Sequence, residues 1–307
     1  MEGIYPELGL SELDKFKPLR QITGIHRFAT YRGTSDGMPV FLKVPSDERL
    51  KERLKAEAEG LNELARRDKD ETLYHVPKLI KITPGYVATE WVDGYPMSQD
   101  FEFGDQAKIK VDSDYLVRLY AFFDAFPGGR GTTRFHLPDQ KPQTVVALEK
   151  IVELGADKNI DMNLVKEVAS YIENTLPATE TRYTHGDLQP GNILLRRDGK
   201  PVIVDCETCS PLWPRHYNIV NFTFNYLKKY PHLHTTLSAA FWAYCDVAKV
   251  DATKNIDAFN VSAGMRALQM TVEKQLDAQR ENKTINSDDA AYVDAMMRKV
   301  VSNKLFI

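Results

Sequence analysis

The chain has 307 residues, 43% of them hydrophobic and 27% charged, with 16 prolines spread along it. That is the make-up of a folded protein with two modest domains, because one hydrophobic core stops growing at about 250 to 300 residues. A net charge of -3 provides no general positive field for a phosphate backbone, so nucleic acid is not the expected partner.

Three cysteines, Cys206, Cys209 and Cys245, are too few and too clustered for a disulfide framework, and a reducing cytoplasm is expected. The first residues, MEGIYPELGLSELDKFKPLR, carry acids and no uninterrupted apolar stretch, so no secretory signal is expected. The longest apolar run, LSAAFWAYCDVA, falls short of the roughly 20 residues of a membrane helix. A soluble protein without membrane contact is the expectation.

In chain order, PLRQITGI (18 to 25) and FATYRGT (28 to 34) read as strands joined by a turn at His26 and Arg27. Asp36-Gly37 supplies hairpin turn chemistry before MPVFLKV (38 to 44), a third strand. From Ser46 to Arg67, Leu50, Leu54, Ala58, Leu61 and Leu64 fall at helical spacing, with Ser46 or Asp47 as the cap. VPKLIKITPGYVATEWVDG (76 to 94) gives two strands around a Pro84-Gly85 turn.

Beyond residue 94 the pattern is mainly helical, with helices expected near 112 to 126, 142 to 156, 161 to 176, 216 to 230, 234 to 248, 255 to 282 and 287 to 303. One block interrupts it: NILLRRDGKPVIVD (192 to 205), two strands around an Asp198-Gly199 turn. The segment from 127 to 143 reads as a long loop. The expected plan is α+β, with a small β-rich lobe over 1–94, a larger helical lobe over 95–307, and a hinge near residues 90 to 96.

The chemistry concentrates in YTHGDLQPGNILLRRDGKPVIVDCE, from Tyr183 to Glu207. Asp187 is followed five residues later by Asn192, then by the hairpin, then by Asp205 at the end of an apolar strand. Mg²⁺ prefers hard oxygen ligands, and Asp205 and Asn192 offer a carboxylate and an amide carbonyl. A hydroxyl acceptor needs a carboxylate not spent on the metal, and Asp187 suits that task. In FLKV, Lys43 lies among apolar neighbours, where a cation calls for an acid or a phosphate partner.

His-Gly-Asp-Leu-Gln-Pro-Gly-Asn-Ile-Leu-Leu (185 to 195) followed by Ile-Val-Asp (203 to 205) resembles the catalytic loop and metal-binding aspartate of the aminoglycoside-phosphotransferase and choline-kinase-like families. The resemblance implies the bilobal protein-kinase-like fold and an ATP- and Mg²⁺-dependent transfer to the hydroxyl of a small molecule. It implies Asp187 as catalytic base, with Asn192 and Asp205 holding magnesium. Lys43 would meet the ATP phosphates and pair with Glu57, or with Glu59 as the alternative. YVATEWVDG resembles the inter-lobe hinge, where adenine would bond to backbone around Glu90 and Val92.

The pattern departs from relatives in two places. Neither G-x-G-x-x-G nor G-x-x-x-x-G-K-[ST] occurs, and TGIHRFAT holds only Gly24. After Asp205, CETCSPLWPRHYNIVNF carries Asn218 near the position where many relatives place an aspartate. Glu207 reads either as a magnesium or supporting residue or as a solvated acid. Cys206-x-x-Cys209 lacks the second pair of a zinc site, and His232 and His234 read as surface residues.

Two rival readings are a protein Ser/Thr kinase and a nucleotide-binding, pseudokinase-like regulator. Against the first, few residues separate Asp205 from the next helix and no A-P-E follows. Against the second, a binding module needs no base such as Asp187. Trp213, Tyr217, Phe222 and Phe224 read either as acceptor-stacking aromatics or as core.

Overall fold

The computed structural model describes residues 13–15, 28–46, 48–126, 143–155 and 157–302. The strands are β1 (Leu13–Lys15), β2 (Phe28–Ser35), β3 (Met38–Pro45), β4 (Leu79–Thr83), β5 (Tyr86–Glu90), β6 (Gly94–Pro96), β7 (Thr181–Thr184), β8 (Ile193–Arg196), β9 (Pro201–Ile203) and β10 (Ser210–Pro214). The α-helices are α1 (Lys51–Arg67), α2 (Ser98–Phe103), α3 (Gln106–Asp124), α4 (Gln143–Glu153), α5 (Met162–Thr175), α6 (Tyr217–Lys229), α7 (His234–Val247), α8 (Ile256–Arg280) and α9 (Ser287–Val301). The α+β expectation holds: β-rich in the N-terminal part, mainly helical after it. The chain forms two compact units, residues 1–101 with 189–209, and residues 102–188 with 210–307.

In the first unit, five antiparallel strands take the order β1-β2-β3-β5-β4. Strands β2 and β3 stay in register from Phe28 opposite Pro45 to Ser35 opposite Met38. The Asp36-Gly37 turn closes them with φ of 50° and 77°, as a tight hairpin requires. Val40 and Leu42 pack with Tyr31, Tyr86 and Ala88 on one face. Because side chains alternate along a strand, Lys43 points to the other face. The strand expected at 18 to 25 and its His26-Arg27 turn lie outside the described residues, as does the loop expected from 127 onward up to 142.

Helix α1 lies on that other face and buries Leu54, Leu61 and Leu64 at 0 to 2% exposure, each contributing about 1.5–3 kcal/mol. It begins later than its apolar spacing suggests. A 3-10 turn spans Glu48–Leu50, and the capping residue is Leu50, which provides no side-chain bond. At its far end Asp68 accepts the amides of Thr72, Leu73 and Tyr74 at 3.0, 2.8 and 3.0 Å. Burial pushes the Asp68 carboxyl up, but those bonds outweigh it and hold its pKa below the ordinary value.

A second sheet of this unit has the order β6-β8-β9. Strands β8 and β9 form the expected hairpin, with Ile193 opposite Ile203 and Gly199 at φ +79° in its turn.

Among its described residues the second unit is mainly helical, with β7 and β10 pairing with each other. Its core draws on Val165, Val168 and Ile172 of α5, Val261 and Leu268 of α8, and Met297 of α9. Helix α3 starts at Gln106, earlier than expected, because Asp105 caps it by accepting the Lys108 amide at 2.8 Å. The other helices run close to their expected ranges. No helix among the described residues is long and apolar enough to cross a membrane.

Candidate active site

Lys43 projects from β3 into a cluster of carboxylates within the first unit. Its Nζ donates to Asp205 Oδ1 at 2.6 Å, Glu57 Oε2 at 3.0 Å and Glu207 Oε2 at 3.2 Å. It also lies 4.5 Å from the centre of the Phe28 ring, a cation–π contact. Burial alone would pull the ammonium pKa down. The charges of Asp205, Glu57 and Glu207 more than reverse this and hold it well above the usual lysine value.

Glu57 rather than Glu59 reaches the lysine. Glu57 is buried on the inner face of α1, whereas the side chain of Glu59 is 63% exposed and faces Lys55. The second oxygen of Glu57, Oε1, accepts the Cys206 amide at 3.1 Å, tying α1 to the turn after Asp205. Burial raises the Glu57 pKa, the Lys43 charge opposes it, and the nearby Asp205 and Glu207 add to the rise.

Asp205 takes left-handed backbone angles, φ 63° and ψ 53°, which turn the chain sharply at the end of the hairpin. Its side chain remains 41% exposed while Lys43, Glu57 and Glu207 are nearly closed off. Asn192 is brought beside it by the β8–β9 ladder: the Val204 amide donates to the Asn192 carbonyl at 3.0 Å. Glu57, Asp205 and Glu207 hold one carboxylate oxygen each within 4.8 Å of one another. A set of hard oxygen donors of this kind fits a divalent cation such as magnesium.

Sequence reasoning left Glu207 open and missed Arg53. Glu207 is buried, and its Oε1 accepts Arg53 Nη1 at 2.9 Å. Nothing in the charged pattern of α1 set Arg53 apart, because its partner Glu207 is 154 residues away in the chain.

Glu90 closes β5 opposite Val40; its amide donates to the Lys78 carbonyl at 3.0 Å, and its carboxylate meets His75 Nε2 at 2.7 Å. The Trp91 amide donates to Pro39. Val92 follows outside the ladder, and its main-chain groups make no bond with other described residues.

Asp187 belongs to the second unit, in a loop braced from several sides. Gly186 has φ +79°, and a Cβ there would lie 2.4 Å from the Trp213 indole, so only glycine fits. Trp213 in turn stacks on Tyr217 at 4.2 Å. Asn218 Nδ2 donates to Thr184 Oγ1, just before His185. Tyr120 donates its hydroxyl to the Leu188 carbonyl at 3.1 Å. Burial, then the neighbouring Tyr226, Tyr115 and Asp187, holds the Tyr120 pKa far above normal, so it remains a donor. The Asp187 amide donates to His185 Nδ1 at 3.4 Å, and His185 is fully buried.

Trp213, Tyr217 and Phe222 are 0 to 3% exposed, and Phe224 packs against the same core; in the structure these aromatics are packing residues. His232 and His234 lie on the surface. Cys206, Cys209 and Cys245 are buried and form no disulfide.

The arrangement of strands, helices and loop is that of the kinase-like phosphotransferases. A choline kinase, LicA from Streptococcus pneumoniae, aligns over 98% of this chain and 97% of its own at 13% identity and a TM-score of 0.58. The aminoglycoside phosphotransferase APH(4)-Ia aligns over the same shares at 10% identity and a TM-score of 0.63. The macrolide 2'-phosphotransferase MphH from Brachybacterium faecium aligns over 97% and 95% at 16% identity and 0.53. No curated protein matches by sequence.

Residues 18–216 match the APH family, described as the phosphotransferase enzyme family, and the chain belongs to that family. It is an enzyme of the small-molecule phosphotransferase class.

Proposed function

We propose that the protein transfers the γ-phosphoryl group of ATP to a hydroxyl of a small molecule. The observation that carries this reading is the buried cluster of Lys43 with Glu57, Asp205 and Glu207, an arrangement suited to phosphate and metal binding. Lys43 serves the nucleotide phosphates and Glu57 fixes its position. Adenine is read by main chain near Glu90 and Val92; of these, Val92 has its amide and carbonyl uncommitted among the described residues.

Asp205 and Asn192 would hold Mg²⁺, which when bound supplies neutralising charge for the phosphate oxygens. Asp187 orients the acceptor hydroxyl and takes its proton as the oxygen bonds to the γ-phosphorus and the bond to ADP breaks. The reading assigns nucleotide binding to residues 1–94 and catalysis and acceptor binding to 95–307. It places the protein in the cytoplasm, where ATP is supplied. Acceptors of the kinds named for the similar structures, choline and aminoglycosides, head the candidates, with sugars and other amino alcohols beside them.

The test is ADP release by the wild type and Asp187→Asn, with magnesium-ATP and a panel of aminoglycosides, macrolides, sugars, amino alcohols and hydroxy amino acids. One acceptor should stimulate turnover, and Asp187→Asn should abolish it while still binding ATP. A wild type that binds no nucleotide would refute the reading. ATP binding with no responding acceptor would favour a regulator.

A further inference from the structure

Resting on the ATP reading above, we propose that Arg53 is a second cation for the nucleotide phosphates, working beside Lys43. The placement is local to the first unit. Arg53 stands one turn before Glu57 on α1, so both side chains lie on the face turned to Lys43. Glu207 bridges the two cations, with Oε1 on Arg53 Nη1 at 2.9 Å and Oε2 on Lys43 Nζ at 3.2 Å.

The two cations differ in what they have left to offer. An ammonium has three N–H donors, and those of Lys43 already meet Asp205, Glu57 and Glu207. Its side chain is only 9% exposed. A guanidinium has five N–H donors, and among the described residues Glu207 is the only partner of Arg53. Its side chain is 39% exposed, against 3% for Glu207. Arg53 is therefore the cation of the cluster that reaches solvent with donors to spare.

Charge points the same way. Three carboxylates, Glu57, Asp205 and Glu207, face Lys43, and Glu207 also meets Arg53, so a polyanion approaching Lys43 alone would meet an excess of negative charge. A planar guanidinium held by one carboxylate presents its remaining edge in the fork geometry that suits phosphate oxygens. The sequence also has no G-x-G-x-x-G loop to surround phosphates with backbone amides, which leaves a role for a side-chain donor.

The experiment compares wild type, Arg53→Gln and Lys55→Gln by calorimetry with a non-hydrolysable ATP analogue, ADP and adenosine, each with Mg²⁺. Lys55 is an exposed residue of the same helix and controls for surface charge. Arg53→Gln is expected to weaken the ATP analogue by about tenfold, the size of one charge-assisted bond, and ADP by less. Adenosine affinity and the Lys55→Gln affinities should stay at wild-type values. Equal affinities of Arg53→Gln and wild type for all three ligands would overturn the proposal, leaving Arg53 as a partner for Glu207 alone. Equal weakening of all three, adenosine included, would overturn it in favour of a role in shaping the unit. A wild type that binds none of them fails the ATP reading itself, a result distinct from either.

Discussion

Gly60 sits inside α1, where replacing glycine with alanine ordinarily stabilises a helix by about 1 kcal/mol. Here the opposite is expected. A Cβ at Gly60 would lie 2.5 Å from the Cys206 carbonyl oxygen and 3.0 Å from the Cβ atoms of both Cys206 and Cys209. The nearest of these atoms is main chain and cannot rotate away. Non-bonded carbon contacts settle near 3.5–4.0 Å, so the helix and the turn must separate by roughly 1 Å. Overpacking of this kind costs about 1–3 kcal/mol. The same separation stretches the bond from the Cys206 amide to Glu57 Oε1, now 3.1 Å, and a buried bond to a charged group contributes about 1.5–3 kcal/mol. Set against the gain in propensity of about 1 kcal/mol, Gly60→Ala should destabilise the protein by about 1.5–5 kcal/mol. Thermal and urea unfolding of the variant against wild type would measure it, with ATP affinity alongside, since Glu57 and Asp205 flank the displaced turn. A variant with a raised Tm and unchanged ATP affinity would refute the packing argument.

Two further outcomes test the buried charges. Lys43→Met removes the cation that Glu57, Asp205 and Glu207 share and should cost about 3–5 kcal/mol near neutral pH. The Glu57 carboxyl already sits above its ordinary pKa through burial, and its protonation relieves the repulsion, so the Tm gap to wild type should narrow as pH falls; a gap that does not change with pH would count against it. His216 is buried, and burial lowers its pKa to about 4. An unfolded histidine titrates near 6.5, so the unfolded state takes up the proton first as pH falls. The stability tied to neutral His216 is complete above about pH 6.5 and is lost towards about pH 4, a difference of roughly 3 kcal/mol. His216→Gln should flatten the urea midpoint over that window, and a slope equal to that of wild type would contradict this.

The sequence made the β8–β9 hairpin and most helices legible because each had a repeating signal: two apolar runs around Asp198-Gly199, or leucines at helical spacing. The short strands β7 and β10 escaped notice. They span four and five residues, and their pairing shifts register between Ser210 and Trp213, so no alternation survives in TRYT or SPLWP. Helix α2, six residues long, is too short to show a period. In the site, Lys43 was visible as a charge in an apolar strand, but Arg53 looked like any solvated cation of a charged helix. Only the fold, which carries Glu207 back to α1, gives it a partner. The aromatics Trp213 and Tyr217 could be read as ligand-stacking or as core, and the packing under Gly186 decides for core.

The left-handed backbone of Asp205 also limits how this enzyme can decay. At φ 63° aspartate, asparagine and glycine are the residue types at ease, whereas alanine or a branched side chain brings strain of about 1–2 kcal/mol. A lineage that loses Asp205 but keeps the fold has few replacements at this position, and asparagine or glycine at 205 is what it would show. An Asp205→Asn protein thus isolates the loss of one charge from any disturbance of the turn, which Asp205→Ala cannot do.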